Sequence, residues 1–249
     1  MNNNNNNDWS QQSVFVEDLT GKVAKKFFAN VFLWMFVALS VSTVVAFYLA
    51  TNTELLRTFF DAQTGKPNIL GWVVMLSPLG ISLVMNGGLS RLSYGAIVGL
   101  FILFAALLGI SLSSVLLVYT SASIISCFAG AAGIFGIMAF MGYTTKQDLT
   151  KFGRIMIMGL IGIIIASLIN LFLGNSTLDY LISFLGVMIF TGLTAYDVQK
   201  LKNIGSGMQY ANTPATDVKK VSILGALNLY LDFINLFLFL LRLFGGKRS

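Results

Sequence analysis

Asn228-Leu-Tyr-Leu-Asp-Phe-Ile-Asn-Leu-Phe-Leu-Phe-Leu-Leu-Arg-Leu-Phe244 is an almost unbroken apolar run with one carboxylate, Asp232, near its middle. As a helix starting near Val221 it carries Asp232 roughly 16 Å along its axis, about halfway through a ~30 Å hydrocarbon layer. At 100° per residue Asn228, Asp232, Asn235 and Arg242 share an arc of roughly 80°, so the polar groups form one stripe. A charge at the bilayer centre costs at least ~2.5 kcal/mol, so the stripe should face protein or water. This last helix is therefore expected to be wrapped by others, and an ionisable group on it reads as functional.

The rest of the chain supplies the wrapping. Of 249 residues 56% are hydrophobic and 10% charged, and the mean hydropathy is +0.79. A soluble domain carries roughly 25% charged residues, so the expected class is an all-α, polytopic membrane protein. Outward from the last run, apolar stretches fall at about Phe27 to Ala50, Ile69 to Met85 (interrupted by Pro78), Gly95 to Val118, a fourth ending near Met141, Ile155 to Leu173, and Tyr180 onward to Lys200 or Lys202. With the last run these make seven spans. Domain organisation follows: a tail over 1–26 that opens with six asparagines and is expected to be disordered, a transmembrane domain over 27–244, and a short basic tail over 245–249. The basic residues before Phe27 resemble a signal peptide, but about 24 apolar residues suit an uncleaved span.

Several smaller features carry expectations of their own. Gly130, Gly133 and Gly136 in span four, and Gly162, Ala166 and Asn170 in span five, read as close-packing seams, the last with an amide able to bond across it. Thr145 and Asp148 have capping-box spacing in the polar connector 142–153. Asn203 to Lys220 reads as the longest loop. Cys127 stands alone in an apolar run and reads as a small buried hydrophobe.

Charge sets the orientation. With the N-terminus inside, eleven of the 16 basic residues fall on the cytoplasmic side and five (Arg57, Lys66, Arg242, Lys247 and Arg248) on the other, which is the positive-inside pattern. A last segment that re-entered would instead put both ends inside. The net charge of +6 belongs to these loops beside lipid headgroups, so no nucleic-acid partner is expected. The chain has no histidine, which leaves carboxylates as the groups able to answer pH.

Of the other nine acidic residues, eight read as tail or loop positions and Asp197 does not. If span six continues helically to Lys200 or Lys202, Asp197 lies one or two turns inside the interface from which span seven also enters. The two aspartates can then meet if the last helix is placed to lift Asp232 toward that side. Two carboxylates in a low-dielectric site cannot both ionise cheaply, so the pair is expected to hold a proton between them. A shared proton holds the two helices together and its loss pushes them apart. The deprotonated pair offers hard oxygens to Ca²⁺, which prefers six to eight; Asn228 and Asn235 could add some. The plainer alternatives are that Asp232 pairs with Arg91 or another basic residue to lock the bundle and that Asp197 is an ordinary interfacial carboxylate.

Four segments resemble those of the Bax inhibitor-1 (transmembrane Bax inhibitor motif) family: Gly142-Tyr-Thr-Thr-Lys-Gln-Asp-Leu149, Ile165-Ala-Ser-Leu-Ile-Asn170, Gly192-Leu-Thr-Ala-Tyr-Asp-Val-Gln199 and Leu229-Tyr-Leu-Asp-Phe-Ile-Asn-Leu-Phe237. The resemblance implies a multi-pass protein of the bacterial inner membrane, seven helices with the last at the centre, no enzymatic activity and no cofactor. It implies a pH-sensitive calcium leak with Asp197 and Asp232 as sensor and tentative calcium ligands, and the lipid bilayer and Ca²⁺ as partners. Some bacterial members latch the pair with an arginine at the end of helix two. Here Asn86 stands at that position and Arg91 lies a turn or more beyond. A second implied role is stress or cell-death modulation through a partner such as a membrane-bound AAA protease. An intramembrane aspartyl protease is a remote third reading: Tyr196-Asp197 matches its first motif, but Asp232 follows Tyr230 and Leu231 in place of Gly-x-Gly.

Overall fold

The computed structural model describes residues 6–61, 67–211 and 213–248. Residues 1–5, with most of the asparagine tract, and Lys66 lie outside the described residues. The described residues form eight helices: α1 (Asn6–Thr51), α2 (Thr53–Phe59), α3 (Ile69–Gly87), α4 (Tyr94–Val118), α5 (Ser121–Thr144), α6 (Thr150–Leu173), α7 (Ser176–Tyr210) and α8 (Ala215–Phe244). All but the short α2 are long and apolar enough to cross a membrane. The protein is a multi-pass, all-α membrane protein, as the apolar runs predict.

Two boundaries differ from those read off the sequence. α1 is helical from Asn6, well ahead of its span at Ala24–Thr51, in a segment that no proline interrupts. The expected loop 203–220 shrinks to a short link, since α7 runs on to Tyr210 and α8 starts at Ala215. Gly205 does not break α7; it lets the helix lie against α1, where an added Cβ would stand 2.9 Å from Phe27 Cδ1.

α8 forms the core. Of its apolar window 67% is buried, against 6% for α6, and its neighbours are α1, α3, α4, α5 and α7. α6 takes α7 as its packing partner instead, so it stands to one side of the core. Tyr230, Leu227 and Leu236 on α8 are fully buried, and Phe233 meets Phe128 and Phe135 of α5 edge to face at 5.1 and 5.7 Å. α8 is one continuous helix from Ala215 to Phe244, long and apolar enough to cross a membrane. Its tail is pinned at the α4–α5 turn, where Gly246 N donates to Ser123 Oγ at 2.9 Å and Arg248 N to Val118 O at 2.9 Å.

The glycine seams lie elsewhere than expected. A Cβ on Gly130, Gly133, Gly136 or Gly162 would meet open space. α5 instead buries Cys127, Ala131, Phe135, Ala139 and Gly142, four or three apart along one face. Cys127 is buried as expected, its Sγ 3.7 Å from Leu240 O. Asn170 makes no bond across the bundle here; its Oδ1 accepts from Asn175 N at 3.0 Å and closes the end of α6. Pro78 sits within a continuous α3. Having no N–H, it leaves the Val74 carbonyl without its helical donor, and Ser77 Oγ donates there at 2.8 Å.

Candidate functional site

Antiparallel α7 and α8 carry Asp197 and Asp232 to the same level, and the two carboxyl groups lie within hydrogen-bond reach of each other. Asp232 is only 5% exposed, and its Oδ2 is buried with no hydrogen-bond partner. The level is set by glycines. Tyr196 packs against Gly153 in the first turn of α6, and Gly192 against Met156. Asp197 therefore lies beside the beginning of α6, while Asp232 stands next to Phe233, which lies between Phe128 and Phe135 near the middle of α5. α8 starts six residues earlier than read, and Asp232 stands near the middle of the helix.

Two cavities share Asp197, Lys200 and Asn228 in their walls, and Asp232 borders the larger. The larger, about 680 Å³, lies among α3, α6, α7 and α8 and is lined by Asp197, Lys200, Asn228, Asp232 and Asn235 at its polar part and by α6 side chains from Ile157 to Leu171 over the rest. The smaller, about 170 Å³, is lined by Asn86, Asp197, Lys200 and Asn228 among others. Asn228, Asp232 and Asn235 thus face one space, as the stripe predicts. Arg242 does not belong to it. It is exposed near the far end of α8, with Nη1 3.5 Å from Asp179 Oδ1. Asn235 Nδ2 donates to Leu231 O at 2.8 Å, which leaves its Oδ1 free to turn to the cavity.

Arg91 is not brought to the pair. It is exposed in the turn after α3 and borders neither cavity. Asn86 is the α3 residue at the smaller cavity, with its Nδ2 donating to Ser82 O at 2.8 Å. The cation at the site is Lys200, one helical turn beyond Asp197 and bordering both cavities. Sequence reasoning placed it at the end of span six and counted it only among the basic residues that set the orientation, although its spacing of three from Asp197 on a continuing helix puts both on one face.

A clamp lies two residues beyond Asp197. Buried Gln199 accepts from Leu149 N at 2.8 Å and donates through Nε2 to Gln147 O at 2.7 Å, and Lys202 Nζ donates to Tyr143 O at 2.7 Å. The connector between α5 and α6 is thereby tied to α7. Its expected capping box does not form. Thr145 Oγ1 accepts from Gln147 N, while Asp148 Oδ1 accepts from Thr150 N at 2.9 Å and from Thr150 Oγ1. Those bonds hold the Asp148 carboxyl below the usual carboxylate range.

Comparison with known proteins agrees with the motifs. The family model described as inhibitor of apoptosis-promoting Bax1 matches residues 24–249. The inner membrane protein YbhL of Escherichia coli K12 is 45% identical over 222 residues, which cover 89% of this chain and 92% of that one. A protein of Borreliella burgdorferi is 42% identical over 229 residues, with 91% and 94% covered, and protein RP147 of Rickettsia prowazekii is 40% identical over 225, with 90% and 91% covered. With a family model spanning all seven membrane helices and relatives matched over nearly their whole length, this chain belongs to the Bax inhibitor-1 family.

Proposed function

We propose that the protein is a pH-sensitive calcium leak, gated by a proton held between Asp197 and Asp232. The observation that supports this reading is the approach of the two carboxyl groups beside two cavities that share Asp197. Carboxylates brought this close repel unless a proton stands between them. With the proton, α7 and α8 are held together; without it they separate, and the smaller and larger cavities can join. Flux therefore rises with pH.

Calcium enters this reading as the transported ion. The two carboxylates and the amide oxygens of Asn228 and Asn235 fall short of the six to eight ligands of a resident calcium site, which suits an ion in passage. The membrane is taken to be a bacterial inner membrane with the N-terminus in the cytoplasm, on the strength of the basic-residue count and of the relative's name. Asp197 then lies toward the cytoplasmic side.

The test is Ca²⁺ flux into liposomes carrying the purified protein between about pH 6 and 8, on either side of neutrality, with Asp197→Asn and Asp232→Asn alongside. Flux that rises with pH and is flattened by either substitution supports the leak. Folded protein with no flux above empty liposomes at any pH sinks it and favours action through a bound partner such as a membrane protease.

A further inference from the structure

One aromatic interrupts the polar stripe of α8. At 100° per residue Phe239 falls within about 40° of Asn228, Asp232 and Asn235. All four line the larger cavity, and Phe239 is the last α8 residue to do so. The next member of the stripe is Arg242, which is exposed near the helix end and held to Asp179 at 3.5 Å. Phe239 therefore stands between the cavity, with its carboxyl and amide groups, and the interface at the far end of α8.

The ring is seated against α7. A Cβ added to Gly186 would stand 2.6 Å from Phe239 Cδ2, so the missing side chain at Gly186 is what lets the ring press on the α7 backbone. Phe190, four residues on and so on the same face of α7, stacks on it with ring centroids 5.8 Å apart at 29°. The Arg242 guanidinium lies over the ring at 5.7 Å from its centroid. An apolar ring wedged between two helices leaves water nothing to bond to, and hydrophobic constrictions of this kind close membrane pathways by dewetting.

We propose that Phe239 is a second gate, an apolar plug that shuts the far end of the larger cavity to water and ions and stands in series with the carboxyl pair. The inference rests on the leak reading for the ion that is stopped. The plug itself is read by thiol chemistry without any flux, so its failure and that of the leak are separable.

The test is thiol accessibility. Full-length protein with Cys127→Ala, which removes the one cysteine, is reconstituted into liposomes with a single reporter, Asn235→Cys on the cavity side of the ring or Arg242→Cys beyond it. A charged, membrane-impermeant methanethiosulfonate is added outside at about pH 6, the lower end of the flux assay. The extent of Arg242→Cys labelling counts the chains whose far end faces outward. Asn235→Cys should label about tenfold more slowly or less, the factor carried by one unmade hydrogen bond of a charged reagent. Phe239→Asn should largely remove that delay, whereas Phe239→Leu, also truncated but apolar, should keep it in protein that melts alike. In the flux assay Phe239→Asn should raise Ca²⁺ entry at about pH 8 and leave the midpoint of the pH profile in place. Equal labelling of the two reporters under an intact ring overturns the proposal without recourse to any ring variant. So does folded Phe239→Asn that labels no faster than Phe239→Leu. Faster labelling of Phe239→Asn in protein that carries no flux upholds the plug and sinks the leak alone.

Discussion

Tyr230 Oη and Ser42 Oγ lie 2.6 Å apart in the middle of the bundle, and Ser42 Oγ also reaches the carbonyls of Ala38 and Ala105 at 2.9 and 2.8 Å. One hydroxyl thus joins α1, α4 and α8 on the side of α8 away from the cavities. Hydrogen bonds between membrane helices are worth roughly 0.6–2 kcal/mol. Tyr230→Phe should destabilise the protein by about 1 kcal/mol in reversible denaturation. A change no larger than error would mean that Ser42 is satisfied by the backbone alone.

Gly142 of α5 stands where any Cβ would run into the Ala195 carbonyl of α7. Gly142→Ala should cost about 1–3 kcal/mol as an overpacked contact. Gly133→Ala, with open space around it, should be neutral or gain up to ~1 kcal/mol of helix propensity. Thermal melting of the two variants side by side checks the contrast.

Lys200 places a positive charge beside Asp197, which favours the ionised form of the pair. Lys200→Gln removes that charge, makes the shared proton harder to lose, and should move the rise of Ca²⁺ flux to higher pH. Lys200→Arg should leave it near the wild-type position. A shift to lower pH in the Gln variant would contradict the assignment of Lys200 as the cation of the site.

Asp148 serves as the control carboxyl. Its folded-state affinity for protons is lowered by Thr150, so its contribution to the folded state is complete above the ordinary aspartate value of ~3.9 and is lost as pH falls through its lower folded value. It remains ionised throughout pH 6–8. Asp148→Ala should leave the pH profile of flux unchanged while speeding amide exchange at Thr150, whose acceptor it removes.

The Arg242–Asp179 pair is half exposed on both sides at 3.5 Å. Pairs of this kind contribute roughly 0–1 kcal/mol. Arg242→Gln should change stability by less than about 1 kcal/mol and flux not at all, although Arg242 shares its helix face with Asp232. A large effect would place Arg242 in the ion pathway.

The seven spans were legible because hydrocarbon admits only long helices with their backbone satisfied internally, and such helices need runs of apolar residues that nothing else in the chain imitates. Asp197 and Asp232 were legible for the complementary reason, being carboxylates where carboxylates are costly. Neighbour relations were not. A helix apolar on every side does not announce its packed face, so Gly133 and Gly142 look alike in sequence while one faces outward and the other meets a carbonyl. The distance of α6 from α8, and the cavity it leaves, had no sequence signal either. Lys200 was within reach: once α7 is carried past it, its spacing from Asp197 puts both on one face. Gln199 was not, since nothing in an uncharged side chain names the loop it will hold.

That loop gives the buried carboxyls an outlet. Gln199 follows Asp197 by two residues and grips both Gln147 and Leu149, so a displacement of α7 at the pair must drag the aqueous strand between α5 and α6 or break two short bonds. A dye attached at exposed Lys146 becomes a remote reporter of an event inside the membrane. By thermodynamic reciprocity, any molecule that seizes the strand in one position biases the carboxyls in return.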